Sequence, residues 1–144
     1  MEVFTKSATE TEKLGQKIAN NLKGGETLCF YGELGSGKTT FIQGLAKGLG
    51  IKKRVLSPTF IIMREYQIRG RERKAKRFYH IDLYRIKNKE DVEVLGLEEI
   101  WSNPENIVAI EWAEKIKEIL PKKRIDIYFE YVLGNQRKIS LSSR

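Results

Sequence analysis

Residues 32–39 read Gly32-Glu33-Leu34-Gly35-Ser36-Gly37-Lys38-Thr39 and match G-x-x-x-x-G-K-[ST], the pattern of a phosphate-binding P-loop. The pattern indicates a phosphate site only where a strand leads into it and a helix follows it. Residues 27–31 are apolar, aromatic and β-branched, as in a buried strand. After Lys38, apolar residues recur on one helical face as far as Gly50. These flanks favour a genuine phosphate site over a glycine-rich turn that matches by chance.

The residue types of this loop predict its chemistry. The glycines can adopt backbone angles that turn successive N–H groups toward one anion, which also meets the positive end of the helix dipole. Lys38 would reach the β- and γ-phosphates, and the Thr39 hydroxyl would be a ligand of Mg²⁺. We therefore expect nucleotide contacts from Leu34, Gly35, Ser36, Gly37, Lys38, Thr39 and Thr40. Gly44 and Gly48 are expected to weaken the following helix by about 1 kcal/mol each if exposed.

Length and composition predict one intracellular domain. The 144 residues suit a single domain over 1–144 with a hydrophobic core. Cys29 is the sole cysteine, which suits a reducing cytoplasm, and no signal pattern or apolar run near the ~20 residues of a membrane span occurs. The net charge of +8 favours a polyanionic partner, but it also fits a basic protein that is merely soluble.

The order of periodic segments predicts the fold class. We expect α/β architecture: a P-loop NTPase-like, mixed and mainly parallel sheet flanked by helices, with antiparallel hairpins. The first two helices, one capped by Ser7 or Thr9, suggest two successive parallel crossovers. Strands are expected at 2–5, 27–31, 78–82, 107–110, 124–132 and 137–141, and a further strand opens at 60–63 and pairs with 78–82 as a hairpin. Short helices are expected at 89–101 and 113–120.

Carboxylates at strand ends are the candidate catalytic and metal-binding groups. Open α/β sheets bind ligands at the carboxyl ends of their strands, where Asp82 and Glu111 are expected. Glu111 could hold Mg²⁺ or polarise the attacking water, although it also fits a surface acid, and Asp82 is a catalytic candidate. His80 would be a packed residue or would orient Asp82 or touch the γ-phosphate. Thr59 is a candidate γ-phosphate sensor, an ordinary proline turn being the alternative, and Trp112 either covers nucleotide or is packing.

Residues 69–77, Arg-Gly-Arg-Glu-Arg-Lys-Ala-Lys-Arg, are the most basic stretch of the chain. They are predicted at a hairpin tip, where such charge is usually just solvated. Their density also suits a dock for RNA or for an acidic protein face. Arg137 follows a Gly-Asn turn, where it either reaches a ligand or is solvated.

Four motifs together resemble one family. They are Gly-Glu-Leu-Gly-Ser-Gly-Lys-Thr-Thr at 32–40, Ser-Pro-Thr-Phe at 57–60, His-Ile-Asp-Leu-Tyr-Arg at 80–85 and Glu-Trp at 111–112. In this order they resemble TsaE, also called YjeE, the small bacterial ATPase family needed for threonylcarbamoyladenosine modification of tRNA. The resemblance implies binding of ATP with Mg²⁺, weak hydrolysis, and association with the TsaB–TsaD pair that transfers the threonylcarbamoyl group to adenosine beside the anticodon.

The resemblance also implies residue roles. Lys38 and Thr39 would serve phosphate and Mg²⁺, and Asp82 and Glu111 the metal and water, so that Lys38, Asp82 and Glu111 are the catalytic candidates and Thr39, Asp82 and Glu111 the metal ligands. Trp112 would lie near the nucleotide. Thr11 and Arg137 match family positions loosely. The departures at Glu33, Ser36 and Ala113 leave the phosphate contacts intact, while the basic hairpin is less usual and leaves tRNA contact open.

Three functions are compatible with these observations. The first is an ATPase switch acting on the TsaB–TsaD pair. The second is a small-molecule kinase, which shares the P-loop but needs an acceptor pocket and usually an arginine-bearing lid. The third is an RNA-binding module with a degenerate nucleotide site, whose tRNA binding would be steeply salt-dependent and indifferent to ATP.

Overall fold

The computed structural model describes residues 1–55, 62–70, 72–88, 90–93 and 95–144. The strands of these ranges are β1 (Glu2–Thr5), β2 (Thr27–Tyr31), β3 (Met63–Gln67), β4 (Arg77–Asp82), β5 (Asn106–Glu111), β6 (Ile125–Tyr131) and β7 (Arg137–Ser143). The helices are α1 (Ala8–Ala19), α2 (Lys38–Gly48), α3 (Glu90–Glu93), α4 (Leu97–Trp101) and a 3₁₀ helix (Ala113–Ile119).

The described strands form one mixed sheet with the order β1-β7-β6-β2-β5-β4-β3. Its middle is parallel: β2 pairs with β5 and β6, and β4 pairs with β5. The β3–β4, β6–β7 and β1–β7 pairs are antiparallel. This topology confirms the α/β class. The second expected parallel crossover is wrong, because the first strand described after α2 is β3, an antiparallel edge strand.

Alternation along the central strand divides the core into two layers. In β5, every residue of which is buried, Ile107 and Ala109 pack with α1 and α2, whereas Val108 and Ile110 pack with the layer of α3, α4 and the 3₁₀ helix. Glu111 continues the first series, so its side chain points to the α2 side of the sheet. This pleat is what brings the last residue of β5 to the start of α2.

Glycines set the contact between α1 and α2. A Cβ on Gly44 would lie 1.9 Å from the Glu12 carbonyl oxygen, and one on Gly15 would lie 2.2 Å from that of Phe41. Gly48 is likewise tight, since its Cβ would meet that of Ala19 at 2.5 Å. The helix-destabilising cost expected for Gly44 assumed an exposed position. Gly44 is buried, so that cost does not apply to it. These glycines allow two backbones to approach closely, and α1 is thereby held against the P-loop helix.

Most local predictions agree with the structure. Ser7 caps α1, its Oγ accepting a hydrogen bond from the Glu10 N–H at 3.1 Å. The segment at 113–119 is a 3₁₀ helix with non-helical angles at Ile116. The segment 57–60, which includes the candidate Thr59, lies outside the described residues. In the parts of the chain described here, no helix combines the length and the apolar character that a membrane span requires.

Candidate nucleotide-binding site

The P-loop joins the carboxyl end of β2 to the amino end of α2. Gly37 precedes α2 with φ 105° and provides no side-chain cap, so the first N–H groups of the helix face the loop. Gly32 has φ 146°, and a Cβ there would lie 2.7 Å from the Phe129 carbonyl oxygen. Both positions need glycine because an L side chain would be strained, or would strike β6. The arrangement is that of an anion site at a helix terminus.

Lys38 is 4% exposed and lies at the floor of this site. Its ammonium group donates a hydrogen bond to the Gly32 carbonyl oxygen and lies 4.0 Å from the centroid of the Trp112 ring. Burial lowers the pKa of Lys38, while Glu111, Glu114, Asp82 and Glu33 act in the opposite direction. The cation is therefore held by a carbonyl and an aromatic face, both weaker partners than a phosphate.

Glu111 is 3% exposed and has two side-chain contacts. Its Oε2 lies 2.6 Å from His80 Nε2, and its Oε1 accepts a long hydrogen bond of 3.5 Å from the Thr39 hydroxyl. His80 is fully buried, and its Nδ1 has no hydrogen-bond partner among the residues that the structure describes. Glu111 is thus a buried carboxylate aimed at the start of α2, not a surface acid. His80 therefore contacts Glu111, whereas the sequence suggested that it orients Asp82.

Asp82 stands beside Glu111, the two residues being partners in the β4–β5 register. Its Oδ1 accepts a hydrogen bond of 3.0 Å from the Tyr84 N–H, which holds the segment after β4 in a tight turn. The Tyr84 ring then packs edge-on against Trp112, with the centroids 5.2 Å apart. Trp112 itself has φ 59°, which is rare for a non-glycine residue, so an unusual backbone conformation sets the position of its ring.

Thr11 and Arg137 reach the loop from two other elements. The Arg137 guanidinium donates to the Gly35 carbonyl oxygen at 3.1 Å and lies 4.9 Å from the Tyr131 ring centroid. Arg137 is half-buried, in contrast to a solvated turn arginine. Thr11 is buried on α1, where its Oγ1 lies 2.7 Å from Thr5 Oγ1. Both loosely matched positions therefore border the P-loop.

One cavity of about 900 Å³ lies at this end of the sheet. Of the predicted site residues it is lined by Thr11, Leu34, Gly35, Gly37, Lys38, Thr39, Thr40, Asp82, Glu111, Trp112 and Arg137. Sequence reasoning gave no site role to Ser7, Ala8, Ile62, Tyr84, Arg85 and Asn135, which also line it. Tyr84 and Arg85 belong to the His-Ile-Asp-Leu-Tyr-Arg motif at 80–85, which could have indicated their place in the cavity wall. Ser7 and Asn135 were predicted only as a helix cap and as part of a turn.

Of the predicted contacts in the P-loop, Ser36 does not line the cavity. It is 3% exposed, and its Oγ lacks a hydrogen-bond partner within the described ranges. The hydroxyl lies inside the loop, so its contribution would come from the main chain.

The donor set fits a magnesium–triphosphate group. The uncapped amides, Lys38 and Arg137 provide hydrogen-bond donors, and the buried Arg137 Nε has no acceptor among the described residues. Thr39, Asp82 and Glu111 offer hard oxygen atoms, and Mg²⁺ is usually held by one or two carboxylates together with phosphates and water. No group of three or more His, Cys, Asp or Glu residues forms a metal cluster in the described segments.

Comparisons with known proteins match the chain to one family. The family model "Threonylcarbamoyl adenosine biosynthesis protein TsaE" matches residues 5–139. The tRNA threonylcarbamoyladenosine biosynthesis protein TsaE of Aquifex aeolicus is 39% identical over 142 residues, covering 97% of this chain and 94% of the relative. Its counterpart in Synechocystis is 41% identical over 122 residues, covering 83% and 74%, and that of Bacillus subtilis is 36% identical over 139 residues, covering 96% and 83%.

The fold is also shared with a solved structure. The crystal structure of YdiB from Bacillus subtilis superposes with a TM-score of 0.80 at 31% identity, covering 99% of this chain and 84% of that one. The expected fold class and the expected resemblance are both confirmed. The chain therefore belongs to the TsaE family of threonylcarbamoyl adenosine biosynthesis proteins.

Proposed function

We propose that this protein binds Mg-ATP in the cavity, hydrolyses it slowly, and acts in the cytoplasm as a nucleotide-dependent switch on the TsaB–TsaD pair during threonylcarbamoyladenosine modification of tRNA. One observation carries the nucleotide part of the proposal. The uncapped amino end of α2, Lys38 and Thr39 share one cavity with Asp82 and Glu111. Family membership supports the pathway.

Each side chain has a role that its position suggests. Lys38 would exchange the Gly32 carbonyl and the Trp112 face for phosphate oxygens. Thr39 and Glu111, already in contact, would hold the cation, and Asp82 would orient water beside them. Arg137 would add a donor from the side of β7. Bound Mg²⁺ and ATP supply a transferable phosphoryl group and a charge that neutralises the phosphate oxygens.

The proposed switch depends on the contact between Lys38 and Trp112, which nucleotide binding would break. When the Lys38 ammonium leaves the Trp112 ring, the packing of Trp112 against Tyr84 changes, and Tyr84 is 42% exposed at the rim of the cavity. A partner that contacts this rim would thereby sense the nucleotide. Differential affinity of the partner for the two arrangements is what a switch requires.

Calorimetric titration with ATP and Mg²⁺ tests the nucleotide site. Loss of a charge-assisted hydrogen bond costs about 1.5–3 kcal/mol, so Lys38→Ala should weaken ATP binding by about 10- to 100-fold. Lys47→Ala is the matched control, because Lys47 lies at the far end of α2 in a surface pair with Glu12. Equal affinity in Lys38→Ala and wild type would contradict the site.

Phosphate release tests the chemistry and the partner. We expect slow release by the isolated protein, a larger loss of hydrolysis than of affinity in Glu111→Ala, and impaired use of Mg-ATP in Thr39→Ala. Addition of the TsaB–TsaD pair should raise the rate of release without a phosphorylated acceptor. Accumulation of a phosphorylated small molecule would instead indicate a kinase, and wild-type hydrolysis by Glu111→Ala would refute the role of that carboxylate.

A further inference from the structure

The basic hairpin tip does not lie near the nucleotide cavity. Asp82 ends β4 at the cavity, whereas Arg77 begins it, about 16 Å away at 3.3 Å per residue. The tip is fixed to the amino ends of the parallel strands: the Ala75 N–H donates to the Lys23 carbonyl oxygen at 2.9 Å, and the Lys76 N–H to that of Glu105 at 2.7 Å. The described residues of the most basic segment, 69–70 and 72–77, therefore lie at the opposite end of the sheet from the P-loop.

A second basic segment lies beside it. Helix α2 begins at the cavity and ends at Gly48, about 16 Å farther on, so the next residues emerge at the same end as the hairpin tip. A Cβ on Gly50 would lie 3.3 Å from the Arg69 carbonyl oxygen, and Ile51 and Ile68 share one core cluster. The run Lys52-Lys53-Arg54 follows directly and is exposed. Two stretches distant in sequence are thus neighbours.

We define the basic end surface by eight cations: Lys23, Lys52, Lys53, Arg54, Arg69, Arg73, Lys74 and Lys76. All are exposed except Arg73, which is half-buried and donates to the Ala19 carbonyl oxygen at 3.2 Å. Glu105 pairs with Lys76 at 3.2 Å, and Glu26 and Glu72 also lie at this end. The eight cations outnumber these three carboxylates, so the net charge of the basic end surface is positive.

We propose that the basic end surface binds the phosphate backbone of tRNA, independently of the nucleotide cavity. The choice of tRNA rests on the function proposed above, whereas the choice of a nucleic acid rests on composition. Protein interfaces have apolar or aromatic centres, whereas nucleic-acid interfaces are rich in Lys and Arg. In the described part of the chain, none of the exposed large hydrophobic side chains belongs to the segments that carry the eight cations. These residues provide positive charge but no exposed apolar surface against which a protein partner could pack.

The two sites are expected to be occupied together. Their separation exceeds the Debye length of about 10 Å at 0.1 M salt, so charge at one end is largely screened from the other. Saturating Mg-ATP should therefore leave tRNA bound, and Lys38→Ala should retain tRNA affinity. The two proposals can therefore fail separately. A wild-type protein that binds tRNA but not ATP would refute the proposed nucleotide site and leave the basic end surface standing.

Fluorescence anisotropy with labelled tRNA at several salt concentrations tests the surface. Each phosphate contact contributes about 0.7–0.9 to the magnitude of the slope of log K against log salt, which is about 5- to 8-fold in affinity near 0.1 M. The double variant Lys52→Ala, Lys53→Ala should reduce the magnitude of this slope by about 1.5 and the affinity for tRNA by about 30- to 60-fold. ATP hydrolysis by the isolated variant should equal that of wild type.

The control removes the same charge elsewhere. Lys6 and Lys13 are both exposed; Lys6 precedes α1 at the end of the helix that borders the cavity, and Lys13 lies on the exposed face of α1. The variant Lys6→Ala, Lys13→Ala should bind tRNA nearly as wild type does. Equal losses in the two variants would mean that net charge alone matters and would overturn the proposal. Unchanged tRNA binding in the Lys52, Lys53 variant, with weaker binding to the TsaB–TsaD pair, would identify a protein dock and would overturn it too.

Discussion

Replacement of Gly44 by alanine tests the contact that holds α1 against the P-loop helix. Alanine favours the helix by about 1 kcal/mol relative to glycine. The new Cβ, however, would lie 1.9 Å from the Glu12 carbonyl oxygen and 2.7 Å from its carbon, both backbone atoms that cannot rotate away. Ordinary contact needs about 3.5 Å, so α1 and α2 must separate by more than 1 Å.

Overpacking of this kind costs about 1–3 kcal/mol or more, and the depth of the overlap places Gly44→Ala at the upper end. After subtraction of the helix term, we expect the free energy of unfolding to fall by about 2 kcal/mol and the Tm by about 4–8 °C. ATP affinity should fall as well, because α1 carries Thr11 on the cavity wall.

Urea unfolding followed by circular dichroism gives the free energy, and titration at low temperature gives the affinity. Lys13→Ala on the exposed face of α1 is the control and should change stability by less than about 0.5 kcal/mol. A Gly44→Ala protein as stable as wild type, or more stable, would refute the close-packing argument and restore the simple propensity estimate.

Two other predictions follow from buried groups. His80→Leu removes the contact to Glu111, so the rate of ATP hydrolysis should fall about 10- to 100-fold with little change in ATP affinity. His80→Gln, which can place an amide N–H near the same position, should recover part of the rate. A wild-type rate of phosphate release by His80→Leu would contradict a role of His80 in positioning Glu111. Burial raises the pKa of the Cys29 thiol to about 12, so a thiol reagent should label Cys29 only when the chain unfolds, and rapid labelling of the native protein would contradict its place in the core.

The strongly patterned parts of the sequence predicted the fold well. The P-loop with its flanking strand and helix, the apolar run at 107–110 and the Gly-Asn hairpin each carry a local signal, and each forms the element expected. The parallel crossover expected after α2 failed because strand direction depends on pairing with β4, a contact that periodicity alone does not encode. The glycines of α2 were likewise judged by helix propensity, whereas their role depends on the facing helix.

The candidate site shows the same division. Glu111 and Asp82 could be expected at strand ends because parallel strands bring their carboxyl ends to one edge. The His80–Glu111 contact could not, since alternation assigned His80 to the face of Asp82 on its own strand and said nothing about the neighbouring strand. Arg137 reaches the P-loop from β7, and the Lys52-Lys53-Arg54 run meets the hairpin tip, only through the assembled sheet and helices.

A crystal structure with a nonhydrolysable ATP analogue and Mg²⁺ would show whether the P-loop and the two carboxylates form one site. We expect the phosphates against the main-chain amides of residues 35–39 and the Lys38 ammonium moved from the Trp112 ring to the phosphates. We expect the cation about 2.1 Å from the Thr39 hydroxyl, with Glu111 and Asp82 beside it. A triphosphate bound elsewhere, or one bound in the loop with both carboxylates turned away from the cation, would contradict this single site.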